Sequence, residues 1–186
     1  GFFSGIVFFA GEPQMLAFVE EAKSRSFESR GSSADPAAAD IDATLIEYFD
    51  NNALRFIAER FHDTPSDAAG AIFFEQETTA GNEDLMLERW NELLERHGAD
   101  LDRSWFTTGD QDRERMREFR HALPVAVNER ITRYKQRKVG TDMAVPDANF
   151  PAFLRFYKEI LGSSGIDYVI FGHIGDCHLH ANLLPK

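Results

Sequence analysis

Hydrophobic and polar positions along this chain switch repeatedly between a period of two and a period near 3.6. Residues 3–10 (FSGIVFFA) form an apolar, β-rich run, and after Gly11-Glu12-Pro13 the apolar residues Met15, Leu16, Phe18, Val19 and Ala22 recur at helical spacing. The opening therefore predicts a strand, then a helix. Residues 43–49 (ATLIEYF) repeat the idea, with Asp50-Asn51 as an N-cap before a helical face of Leu54, Ile57, Ala58 and Phe61. Residues 69–75 (AGAIFFE) predict a third strand. A helix from about Glu83 to His97 follows, with Leu85, Leu87, Trp90, Leu93 and Leu94 inward and Gly98 as its terminator. Asp110 to about Arg137 reads as a long, charge-rich helix that Pro124 should kink or divide. Residues 141–145 are short and extended before Pro146, and residues 150–161 place Phe153, Leu154, Phe156, Tyr157 and Ile160 on one helical face. Residues 168–171 and 178–184 are close enough in sequence to form an antiparallel hairpin.

Strands separated by helices suit a doubly wound parallel sheet, but the terminal hairpin makes the order mixed and favours an α+β class. Few short strands point to a ferredoxin-like sandwich with additions, an antiparallel or mixed sheet carrying helices mainly on one face. The 186 residues are enough for a sizeable core and are read as one domain, 1–186. Residues 31–40 (GSSADPAAAD) are small and polar, and with their leading flank they predict a mobile loop over 28–40.

An apolar fraction of 43% with seventeen Phe excludes general disorder, and no apolar run approaches the roughly 20 residues that span a bilayer. A net charge of -11 argues against a nucleic-acid partner. The single cysteine excludes an internal disulfide framework and fits a reducing, cytoplasmic setting. Neither GxGxxG nor GxxxxGK[ST] occurs, so nucleotide binding by this segment alone is not expected.

The chemistry concentrates in the last twenty residues, which hold three of the six histidines. In a strand, His178, His180 and Asn182 project from one face, and a turn over residues 172–177 folds His173 back towards them. A His173/His180 pair suits zinc, manganese or iron but is one ligand short of a usual catalytic site, with Asp176 and His178 as candidates for the third. The competing reading is that these are satisfied polar groups beside a turn. A second constellation is the basic run Arg113, Arg115, Arg117, Arg120, Arg130, Arg133, Lys135, Arg137 and Lys138. Most of these have acidic neighbours in Asp112, Glu114, Glu118 and Glu129. Arg120 differs, because Phe119, Leu123 and Val127 put it at the edge of a buried face, where a guanidinium fork could hold a small carboxylate.

The run GHIGDCHLHANLLP resembles the pattern GHxGDGNLHxN of the C-terminal domain of FAD-linked oxidases, the group of D-lactate, glycolate and D-2-hydroxyglutarate dehydrogenases. REFRHALP resembles that family's arginine segment and KVGTDMAVP its short Asp-x-x-x-Pro strand, so the likeness covers residues 114–186, while the first 110 match in pattern only. The resemblance implies a flavin-dependent 2-hydroxy acid dehydrogenase or oxidase. In it, His173 and His180 bind a divalent metal such as Zn or Mn and act at the reacting centre, Arg120 binds the substrate carboxylate, and Asn182 lies beside the substrate. Pro124 and Gly140 stand where a substrate-contacting Thr and Lys are expected, with Lys138 as a replacement from two residues upstream. Cys177-His178 replaces the family's Gly-Asn, and a turn or packing role is favoured for His178 over an added base or ligand. The implied partners are a small 2-hydroxy acid, an FAD-binding domain of the same polypeptide that holds the FAD, and an electron acceptor protein or quinone. The expected location is cytoplasmic, with peripheral attachment at the inner membrane as the alternative for the parent protein.

A glutamate-histidine pair further on, expected to complete the metal site, is not in this sequence, nor is the FAD-binding domain. The chain thus reads as a fragment that alone is inactive, and its end at Lys186 would leave the last strand without neighbours. The alternative is a non-catalytic metal- or carboxylate-binding α+β module.

Overall fold

The computed structural model describes residues 1–31, 40–107 and 110–185. The first four strands are β1 (Phe2–Phe9), β2 (Ala43–Asp50), β3 (Gly70–Glu77) and β4 (Ala99–Phe106), interleaved with helices α1 (Glu12–Gly31), α2 (Asn51–Ala58) and α3 (Glu83–Arg96). Then come α4 (Asp110–Arg133), β5 (Val139–Ala144), α5 (Phe150–Ser163), β6 (Asp167–Gly172) and β7 (His178–Leu184). The seven strands among the described residues join one sheet in the order β4-β1-β3-β2-β6-β7-β5, antiparallel at every step. The first four lie in the order 4-1-3-2 of a split βαβ sandwich, and the last three extend it. The class is α+β.

The period-two pattern decides the layers. Val7, Phe9, Ile46, Tyr48, Ile72 and Phe74 point to one face with α1, α3 and α5, while Ile6, Phe8, Phe49, Ala71 and Phe73 point to the other with α2 and α4. Three helices share one face and two take the other, so both sides of the sheet are covered. Trp90 of α3 stacks on Phe74 at 3.9 Å and donates its indole N–H to Gln76 at 2.8 Å, which satisfies two polar groups inside the first layer. On the second layer α4 buries Met116, Phe119, Leu123 and Val127.

Several expectations change. The strand β4 was not anticipated, because it is an edge strand carrying Asp100, Asp102 and Arg103, and such charges hide the alternation. Helix α4 runs through Pro124 as one helix and is not divided. Helix α2 stops at Ala58, short of Phe61. In α3 the buried set is Met86, Trp90, Leu93 and Leu94, and Leu87 is exposed; in α5 Phe156 and Ile160 are exposed while Phe150 and Leu161 are buried. The expected faces hold at Trp90, Leu93, Leu94, Leu154 and Tyr157, and the differences lie at the margins of each face. Strand β7 has neighbours on both sides, β6 and β5. Of the loop expected over 28–40, residues 28–31 belong to α1, and 32–39 lie outside the described residues. No helix among the described residues is long and apolar enough to cross a membrane.

Candidate active site

The sheet face under α4 carries the chemistry. Strand β6 ends at Gly172, whose φ of +138° suits glycine alone. A Cβ there would meet the His178 carbonyl at 2.9 Å and His180 Cδ2 at 3.0 Å, so the missing side chain is what lets the ring of His180 lie against the strand end. A 3-10 turn at Ile174–Asp176 follows, Cys177 takes a left-handed φ of +52°, and the His178 N–H donates to the His173 carbonyl at 3.1 Å. This closed turn brings His173 beside His178 and His180, with ring centroids 5.9 and 6.2 Å away. The fold-back of His173 expected from the sequence is therefore present.

Two carboxylates organise these rings, and neither was among the expected site residues. Glu47, in the middle of β2, is 7% exposed. It accepts Arg120 Nε on Oε2 and Arg120 Nη2 on Oε1, both at 2.8 Å, and Oε1 lies 3.1 Å from His173 Nδ1. The guanidinium also stands over Phe73, the register partner of Glu47. Asp142 of β5 lies opposite His180 in the ladder, bonds to His178 Nε2, and lies 3.4 Å from His180 Nδ1. The bond to His178 holds the Asp142 carboxyl below the usual carboxylate range. Burial pushes His180 below the ordinary imidazole value, which outweighs the opposing pull of Asp142. Pairing with Glu47 raises Arg120 further above its already high value.

Arg120 thus reaches the histidine turn, but its Nε/Nη2 fork is occupied by Glu47. Among the described residues the other three of its five N–H groups have no hydrogen-bond partner, on a side chain 35% exposed. Asn182 is buried on β7, opposite Gly140, where a Cβ would come within 3.0 Å of its Oδ1. Lys138 precedes β5 and is exposed, four residues before Asp142. At about 3.3 Å per extended residue that is roughly 13 Å along the edge strand. Asp176 is exposed on the turn.

A metal was expected on His173 and His180. The donor atoms that come together, within 4.8 Å of one another, are instead those of Asp142, His178 and His180. An N₂O set of this kind suits zinc or manganese. His173 stands outside it because its Nδ1 faces Glu47. His178, for which a turn or packing role was favoured, is thus part of a polar cluster. Cys177 is buried on the opposite side of the turn, donates to Asp147 at 2.7 Å and receives Lys23 Nζ at 3.1 Å. Burial, first, pushes its thiol above the usual range, and the bond to Asp147 adds to this.

The family model described as FAD linked oxidases, C-terminal domain, matches residues 20–185. Among solved structures, the chain is similar to an alkyldihydroxyacetonephosphate synthase, with a TM-score of 0.67 and 9% identity over 100% of this chain and 36% of that one. It is also similar to 4-ethylphenol oxidase from Gulosibacter chungangensis (TM-score 0.59, 15% identity, 100% of this chain and 39% of that one). A p-cresol methylhydroxylase with substrate bound gives a TM-score of 0.59 at 10% identity, again over 100% of this chain and 39% of that one. At these identities the likeness concerns the fold. The chain spans little more than a third of the length of these structures.

Proposed function

Because this chain belongs to the C-terminal domain family of FAD-linked oxidases, we propose that it is the substrate-binding half of a flavin-dependent 2-hydroxy acid dehydrogenase of the glycolate or D-lactate type. The observation that carries this reading is the convergence of a guanidinium and three imidazoles on one sheet face, with Arg120 and His173 meeting at Glu47. A 2-hydroxy acid needs an anion receptor and, next to it, a group that accepts the hydroxyl proton. Arg120 offers the first through Nη1 and its free Nη2 hydrogen, and Asn182 would lie alongside. His173 offers the second through Nε2, the nitrogen turned away from Glu47.

The described residues include no glycine-rich phosphate cradle, so they do not fit the nucleotide half of FAD, which an FAD-binding domain of the same polypeptide would hold. When bound, the flavin supplies the two-electron acceptor for the hydride from the carbinol carbon. Asp142, His178 and His180 fit a divalent cation such as zinc or manganese, which would there lower the pKa of a coordinated hydroxyl. Burial of His180 favours the neutral imidazole that such coordination needs. Onward electron transfer to an acceptor protein or quinone, and a cytoplasmic or peripheral inner-membrane location, belong to the same proposal.

The test is anaerobic flavin bleaching in the full-length polypeptide against a panel of D- and L-2-hydroxy acids, with and without a chelator. Bleaching by one acid supports the reading and names the substrate, and loss of bleaching on chelation supports the cation. If flavin copurifies and no acid bleaches it, the 2-hydroxy acid reading is wrong.

A further inference from the structure

Arg120 and His173 come from different elements, α4 and the end of β6, yet both depend on one buried side chain. Glu47 sits between them on β2, a strand fixed on one side by seven register pairs to β3 and on the other by Tyr48 and Phe49 to β6. Its two oxygens take the Arg120 fork, which fixes the plane of the guanidinium and leaves only its outer end free. One of those oxygens lies 3.1 Å from His173 Nδ1. A carboxylate offers acceptors only, so a neutral imidazole beside it carries its proton on Nδ1 and keeps the Nε2 lone pair for the site. Only 9% of the Glu47 side chain is exposed, against 35% for Arg120 and 38% for His173.

We propose that Glu47 is the positioning residue of this site: it sets the orientation of Arg120 and the tautomer of His173 while remaining out of reach of the substrate. The kinetic arm of its test rests on the 2-hydroxy acid reading, but the spectroscopic arm does not. The competing role is purely structural, a counter-charge that lets α4 pack over the sheet.

The experiment compares wild type, Glu47→Gln and Glu47→Asp in the full-length flavoprotein labelled with ¹⁵N-histidine. Two-bond ¹H–¹⁵N correlations read the tautomer of each ring, and the His173 signal is assigned from its absence in His173→Gln. The expected wild-type pattern is Nδ1–H. Glutamine can turn its NH₂ towards Nδ1, so the variant should shift to Nε2–H and reduce flavin on the order of 10²- to 10⁴-fold more slowly at saturating substrate, as a wrong tautomer does. Glu47→Asp keeps an acceptor and should recover Nδ1–H and part of the rate. An Nε2–H signal for His173 in wild type overturns the proposal, and this needs no Glu47 variant to fold. An unchanged His173 tautomer in Glu47→Gln, with only a lower melting temperature, overturns it in favour of the structural role. If wild-type flavin is reduced by no 2-hydroxy acid, the reaction proposed above falls, and the tautomer shift alone then supports or overturns the role of Glu47.

Discussion

Replacing Asp50 by Asn should make stability less dependent on pH, and the structure supplies both the sign and the size. Asp50 is the N-cap of α2, accepts the Ala53 N–H at 2.7 Å, and is 3% exposed. Backbone N–H donors and the helix terminus favour its anion, but burial outweighs them and raises the carboxyl from the usual 3.8 to about 7. Its protonated form therefore stabilises the fold fully below pH 3.8, and this contribution is lost as pH rises towards about 7. At ~1.4 kcal/mol per pH unit, the gap corresponds to a loss of ~4 kcal/mol between pH 4 and pH 8. Asparagine keeps a capping oxygen and carries no charge. The urea midpoints of Asp50→Asn and wild type should thus diverge in favour of the variant as pH rises from 4 to 8, most steeply between pH 5 and 7. A pH-independent difference, or a variant that loses ground at high pH, would mean that the cap's hydrogen bonds outweigh burial and would refute the reasoning.

Three further outcomes can be checked. Arg120→Ala leaves Glu47 buried without its fork, and since the arginine is itself 35% exposed, the expected cost is ~1–3 kcal/mol, below that of a fully buried pair, together with loss of carboxylate binding by calorimetry. Unchanged affinity would place the anion elsewhere. Gly172→Ala forces a Cβ to 2.9 Å from a backbone carbonyl at φ +138° and should lower stability by at least ~2 kcal/mol in chemical denaturation, a prediction that a wild-type midpoint would defeat. Cys177 is 3% exposed with its thiol pKa raised, so a thiol reagent should label the folded chain on the order of 10²-fold more slowly than the unfolded one; fast labelling of the folded form would contradict the packing around Asp147 and Lys23.

Among the described residues, local pattern was enough to read six of the seven strands, the five helices and the group His173, His178, His180 and Asn182, because strand alternation and a tight turn are properties of consecutive residues. Arg120 was legible for the same reason: its helical neighbours put it at the rim of a buried face. Glu47 and Asp142 were not read as site residues, although Asp142 lies in the segment that resembles the family's short strand, because the side chains they orient are far along the chain. Glu47 meets Arg120 from 73 positions away and Asp142 meets His178 from 36. Those meetings depend on which strands pair and in what register, and that is settled by packing of whole layers. The edge strand β4 escaped for a related reason, as its charges are tolerated where, among the described residues, one side of it has no partner strand. The sequence by itself thus determined the elements, the histidine turn and the arginine. Only the tertiary structure decided which carboxylates orient them, because hydrogen-bond partners across a sheet are chosen by strand order, which no local period encodes.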